Sequence, residues 1–206
     1  MQEVGGVFHV LSADLESLST PEQVAGRASD LVAEIDGLAR LYLGSGTAVV
    51  WTGTVRDRVT RTPHHFVSPE AALGGGRAFD ATIPTSAVSA PPRDELREAA
   101  EAAASDALVG EALRYVAQGG WPGLRKAREI VGNDVRGYKE IEGRGWAPVG
   151  SMERFRQSAN KPEASGDAAL HASDATQRLT VPRMNLPEAT HLIEGVVRRW
   201  LEAKRP

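Results

Sequence analysis

The chain has no cysteine, which excludes disulfides, thiolate metal sites and thiol nucleophiles. Aromatic residues make up only 5%, and they do not interleave with basic residues as a single-strand stacking platform requires. No run approaches the ~18 consecutive apolar residues of a membrane-spanning helix. The opening stretch, MQEVGGVFHVLSADLE, lacks a basic start and places Asp14 and Glu16 where a signal peptide stays apolar. Neither sign of charge dominates: the net charge is −3, so no global field attracts DNA or an anionic membrane. These absences point to a soluble, unprocessed, cytoplasmic chain without a membrane or DNA partner. The weight of Ala, Gly, Arg and Asp suggests a GC-rich bacterial source.

Complete catalytic and cofactor motifs are missing as well. No two histidines stand at i, i+4, and there is no H-E-x-x-H. His64-His65 sits on an expected strand, where neighbours point to opposite faces and do not readily share one metal. Gly44-Ser45-Gly46 and Gly74-Gly75-Gly76 are not followed by Lys-Ser/Thr and lack the G-x-G-x-x-G form, so they read as turns. Ser158 and Ser165 have no G-x-S-x-G setting. No metal and no cofactor are expected.

What is present is organised in two parts. Val7 to Leu11 is a short apolar run that predicts a strand. Thr20, Pro21 and Gln23 make a helix start with a capping box, and Val24, Ala28, Leu31, Val32 and Ile35 follow at helical spacing. Asp36-Gly37 is the expected end of that helix. Thr47 to Val55 is β-branched and predicts a strand, as do His65 to Ser68 and Arg77 to Ile83. The small, proline-rich run from Pro84 to Pro92 marks a linker. Beyond it, Arg93 to Gln118 reads as one helix of about 26 residues, roughly 39 Å long. Its face of Leu96, Ala100, Ala103, Ala107 and Gly110 suits close approach of another helix. Further helices start near Pro122 and Ser151. The last has Asn185 as cap, Glu188 at the capping-box position, and Leu186, Ala189, Ile193, Val196, Val197, Trp200 and Leu201 as its apolar face. The expected fold is α+β: a small β-rich module with one helix over residues 1–85, then a four-helix bundle over residues 92–206.

Phe155 to His171, FRQSANKPEASGDAALH, gathers most of the chemistry. Pro162, Ser165 and Gly166 interrupt a helix there, so irregular backbone can turn Asn160, Asp167 and His171 toward one cleft. His171 is the acid/base candidate because imidazole titrates near neutrality. The alternative is that Asn160 ends a helix, Asp167 caps the next and His171 lies on the surface. The expected ligand-binding set is Ser158, Asn160, Lys161, Asp167, His171 and the loop residue Trp146. Arg125, Lys126, Arg128, Arg136, Lys139 and Arg144, joined by Arg154 and Arg156, form a basic segment. It reads either as a phosphate-binding face or as a solvated helix face interspersed with Glu129, Glu140 and Glu142. Trp121, Trp146 and Trp200 read as core, Trp146 least so.

Four segments carry a resemblance: WPGLRKAREIV from Trp121, the glycine-tryptophan loop GRGWAP, SANKPEASGDAALHA, and VPRMNLPEATHLIEGVVRRWL. Over about 80 residues, Trp121 to Trp200, they resemble an uncharacterised bacterial family with a SAN-x-P-x-x-x-G-x-x-x-x-H segment. The layout is more distantly similar to HEPN-type helical domains, which implies a four- or five-helix unit, a role in phage defence or stress response, and RNase activity in catalytic members. Those members place an arginine four to six residues before the histidine. Here Asp167-Ala168-Ala169-Leu170 precede His171 and the nearest upstream arginine is Arg156, so the motif is broken. The leading expectation is a non-catalytic binding or regulatory protein: the N-terminal module recognises a small-molecule ligand or partner, and the helical half dimerises or signals. The second is a metal-independent RNase with His171 as acid/base, Asn160 as orienting group and Arg156 as phosphate ligand on an RNA substrate.

Overall fold

Two hairpins and eight helices emerge in the computed structural model, which describes residues 2–4, 7–9, 12–44, 53–56, 63–65, 93–159 and 182–204. In chain order they are β1 (Gln2–Val4), β2 (Val7–His9), α1 (Ala13–Glu16), α2 (Pro21–Leu43), β3 (Thr54–Arg56), β4 (Pro63–His65), α3 (Arg93–Ser105), α4 (Ala107–Gln118), α5 (Gly120–Asp134), α6 (Tyr138–Gly143), α7 (Ser151–Ala159) and α8 (Leu186–Lys204). The fold is α+β and dominated by helix. The chain divides into two units: Met1–Ala33 with Val49–Ser86, and Glu34–Ala48 with Ala87–Pro206. The expected strand over Arg77 to Ile83 and the linker from Pro84 to Pro92 lie outside the described residues.

In the first unit β1 pairs antiparallel with β2, Glu3 opposite Phe8. β3 pairs antiparallel with β4, Val55 opposite His64. Thr20 and Gln23 form the capping box of α2: each backbone N–H donates to the other's side chain at 3.3 Å. Arg27 on α2 pairs with Asp14 on α1 at 2.9 Å.

The second unit corrects two expectations. Helix α2 does not end at Asp36-Gly37 but runs to Leu43, and Gly44 at φ 94° terminates it. Gly37 is buried because α4 comes that close: a Cβ there would lie 2.3 Å from the Leu113 carbonyl oxygen. Nor is the helical half a four-helix bundle. Among the described residues it has six helices, α3 to α8, besides the end of α2. One extra break is at Asp106. Its backbone is extended, its carboxylate accepts from the Leu108 N–H at 2.9 Å, and Lys204 donates to its other oxygen at 2.6 Å. A side chain that caps a helix start favours that start over continuation of the helix before it. The other extra element is the short helix α6.

The core is built where α4, α5 and α8 meet. Leu113 and Val116, Leu124 and Val131, and Ile193, Val197, Trp200 and Leu201 are all essentially inaccessible. The apolar face expected for α8 is buried except for Leu186, and the Trp200 indole N–H donates to Asp134 at 2.8 Å. Asn185 caps α8, accepting from the Glu188 N–H at 2.8 Å. The Glu188 side chain does not close a capping box; it pairs with Arg154.

Candidate functional site

Arg128 is the anomaly of the helical unit. Leu124, Arg128, Val131 and Val135 recur at helical spacing from α5 onward, so a guanidinium stands in an apolar stripe. It is 6% exposed. Its Nε and Nη1 atoms are buried and have no hydrogen-bond partner among the described residues. The group lies 4.1 Å from the centroid of the Tyr138 ring and 5.3 Å from that of Phe155, two faces that attract a cation. Burial holds its pKa below the ordinary guanidinium value; Tyr138 opposes that shift, and Arg125 and Arg156 add to it. A guanidinium nonetheless stays charged. A buried charge without its hydrogen bonds costs several kcal/mol, so the aromatic walls offset only part of the penalty.

The surroundings explain how the group is held. The Phe155 ring is tilted against Trp121 at 5.8 Å, which anchors α7 to the start of α5. Tyr138 reaches Arg128 because position 132, one turn further along α5, is glycine: a Cβ on Gly132 would lie 2.4 Å from Tyr138 Cε1. Between α5 and α6 the chain reverses in a left-handed C-cap. Arg136 has φ 67°, and the Gly137 N–H donates to the Gly132 carbonyl at 2.7 Å.

Around Phe155, the α7 residue that walls Arg128, α7 carries a hydrogen-bonded triplet of one carboxylate, one guanidinium and one amide. Arg156 donates to both oxygens of Glu153, from Nε at 2.7 Å and Nη2 at 2.6 Å, and Gln157 donates to the same carboxylate at 2.7 Å. The bonds from Arg156, then that from Gln157, pull the Glu153 pKa from 4.5 to about 2, and the Arg128 charge contributes. Arg125, three residues before Arg128, is half-buried on the same side of α5. Three guanidiniums and one carboxylate therefore share this region.

Of the expected site residues, Asn160, Lys161, Asp167 and His171 lie outside the described residues. Arg156 is exposed and engaged with Glu153. Ser158 is buried, and its hydroxyl accepts from the Met184 N–H at 2.9 Å. Arg154, expected on the basic face, instead binds Glu188 and the Pro182 and Arg183 carbonyls, both at 2.8 Å. Together these ties join α7 to the start of α8. Trp146 packs against the core with Arg144 over its ring at 5.2 Å, and its carbonyl accepts from Arg199 at 2.6 Å. Trp121 and Trp200 are core, as expected. Of the basic segment, Arg125, Arg128 and Arg156 come together, whereas Lys126 and Arg144 pair with Glu129 and Glu140.

Among the described residues no cluster of His, Asp or Glu can hold a metal, and no helix is long and apolar enough to cross a membrane. Comparison of the chain with protein-family models, curated proteins and solved structures returns no match.

Proposed function

We propose that this chain is a non-catalytic binding protein whose helical unit takes up an anionic ligand. The observation that carries the reading is Arg128, a buried cation with two donor atoms unpartnered. Folded proteins satisfy nearly all buried polar groups, and an exception is costly enough to require a reason. Acceptor oxygens from a ligand supply what the fold withholds. Arg125 and Arg156 are both near enough to act on the Arg128 charge and are more exposed than it is, and they provide the attraction that brings an anion in.

Thermal unfolding of the full chain in a phosphate-free buffer, with inorganic phosphate added at constant ionic strength, tests the reading. A ligand at 100 times its Kd adds about 2.7 kcal/mol to stability, so the midpoint rises with phosphate. The rise vanishes in Arg128→Met. A midpoint that phosphate leaves unchanged, or raises identically in both proteins, refutes the reading. Labelled RNA incubated with the protein separates the enzyme alternative: cleavage abolished by His171→Ala would establish an RNase and displace a purely binding role.

A further inference from the structure

Within the reading of the helical unit as an anion-binding site, we infer that Glu153 is a built-in competitor that makes the site selective for phosphate monoesters over carboxylates. Its carboxylate already occupies the fork of Arg156 and takes a third bond from Gln157. A monocarboxylate ligand offers Arg156 only what Glu153 supplies from the same helix, at the high effective concentration of an intramolecular partner. Such a ligand has no advantage with which to displace it. A phosphate monoester does. It carries about −1.5 to −2 charges at neutral pH and three strong acceptor oxygens, enough to engage Arg156 and the unpartnered donors of Arg128 together.

The charge balance points the same way. Arg125, Arg128 and Arg156 against Glu153 leave two positive charges in the region, which matches a monoester dianion. A phosphodiester, with one charge and two free oxygens per phosphate, matches less well. Glu153 keeps its negative charge at every physiological pH, because Arg156 and Gln157 stabilise the ionised form. The competition is therefore permanent and sets a threshold that only a doubly charged ligand passes. Glu153 and Arg156, whose contact the ligand must exchange, are about half exposed; the Arg128 donors are buried, so reaching them requires the side chains around them to shift as well.

Calorimetric titration of the full chain with phenyl phosphate and with benzoate reads this selectivity. Wild type is expected to bind phenyl phosphate at least about tenfold more tightly than benzoate. In Glu153→Gln, which keeps the side-chain length and an acceptor for Arg156, benzoate gains about tenfold and the ratio narrows. In Glu153→Gln combined with Arg156→Gln that gain is lost. An unchanged ratio in Glu153→Gln, or weaker binding of both ligands, overturns the role of Glu153 while leaving the anion site standing. Failure of wild type and Glu153→Gln alike to bind phenyl phosphate overturns the site itself. An oligoribonucleotide without a terminal phosphate is expected not to displace phenyl phosphate. Displacement at lower concentration than phenyl phosphate requires would assign the site to nucleic acid and overturn the monoester preference.

Discussion

Replacing Arg128 with methionine is expected to stabilise the ligand-free protein. Two buried donor atoms, Nε and Nη1, carry three N–H groups without partners, and each atom forfeits about 1–3 kcal/mol of hydration. Contacts with the Tyr138 and Phe155 rings, at 4.1 and 5.3 Å, return roughly 1–2 kcal/mol apiece in a desolvated setting. Methionine has comparable length, carries no polar hydrogen, and its sulfur makes favourable contacts with aromatic rings worth about 0.3–1.5 kcal/mol. The balance predicts a gain of about 1–3 kcal/mol, in line with the general result that a buried charge exchanged for a well-packed apolar group is neutral or stabilising. Urea unfolding in phosphate-free buffer, followed by tryptophan fluorescence, measures it, since Trp121 lies against Phe155. A thermal midpoint gain of roughly 2–4 °C per kcal/mol should accompany it. A loss of more than about 2 kcal/mol would show that Arg128 supports the fold through its existing contacts. The premise of an unmet hydrogen-bonding demand would then fail.

Gly132→Ala gains helix propensity of up to about 1 kcal/mol but drives a methyl into Tyr138. A net loss of roughly 1–3 kcal/mol is expected, turning into a gain when Tyr138→Ala is also present; denaturant unfolding of the two single variants and the double checks this. Asp106→Ala removes the cap of α4, worth about 1 kcal/mol, and the Lys204 ion pair, worth up to about 1 kcal/mol more at its partial exposure. A double-mutant cycle with Lys204→Met separates the two contributions, and a coupling of zero would reject the pair. Glu153 has a folded-state pKa lowered from 4.5 to about 2, so its stabilisation is present above pH 4.5 and disappears as pH falls toward 2. The side chain is 47% exposed, which limits the amount to under about 1 kcal/mol. The stability gap between wild type and Glu153→Gln should therefore be constant above pH 5 and close by pH 2; a gap that persists there would contradict the Arg156 contact.

Local signals in the sequence carried the helix starts. Thr20 with Gln23, and Asn185 ahead of α8, are capped as their spacing implies, because capping depends on residues within one turn. Helix ends decided by distant partners were not legible. Gly37 reads as a stop, yet its missing side chain admits the α4 backbone. Asp106 reads as one more polar residue in an alanine-rich helix, yet Lys204, 98 positions away, meets its carboxylate at 2.6 Å. Glu188 reads as half of a capping box, but Arg154 outcompetes the local backbone N–H because it offers a charged fork.

The site shows why the same limit applies to chemistry. Grouped by sequence, Arg125 to Arg156 look like one basic face; in three dimensions Lys126, Arg144 and Arg156 each pair with an acidic residue one turn away, and Arg128 has none at that spacing. Lys126 and Arg144 have Glu129 and Glu140 at that spacing. Arg128 has Gly132 one turn ahead and Leu124 one turn behind, so its own helix offers no counter-charge at either place. The usable signal was its register. Between Leu124 and Val131 on the buried stripe, a cation either finds a carboxylate across the interface or remains unsatisfied. On α7 Glu153 is present, but it accepts its three hydrogen bonds from Arg156 and Gln157 and none from Arg128. A carboxylate that is near enough to feel the Arg128 charge, yet hydrogen-bonded elsewhere, leaves the two Arg128 donors unmet; on the proposed reading, the strength of the Glu153–Arg156 contact then decides which anions are accepted.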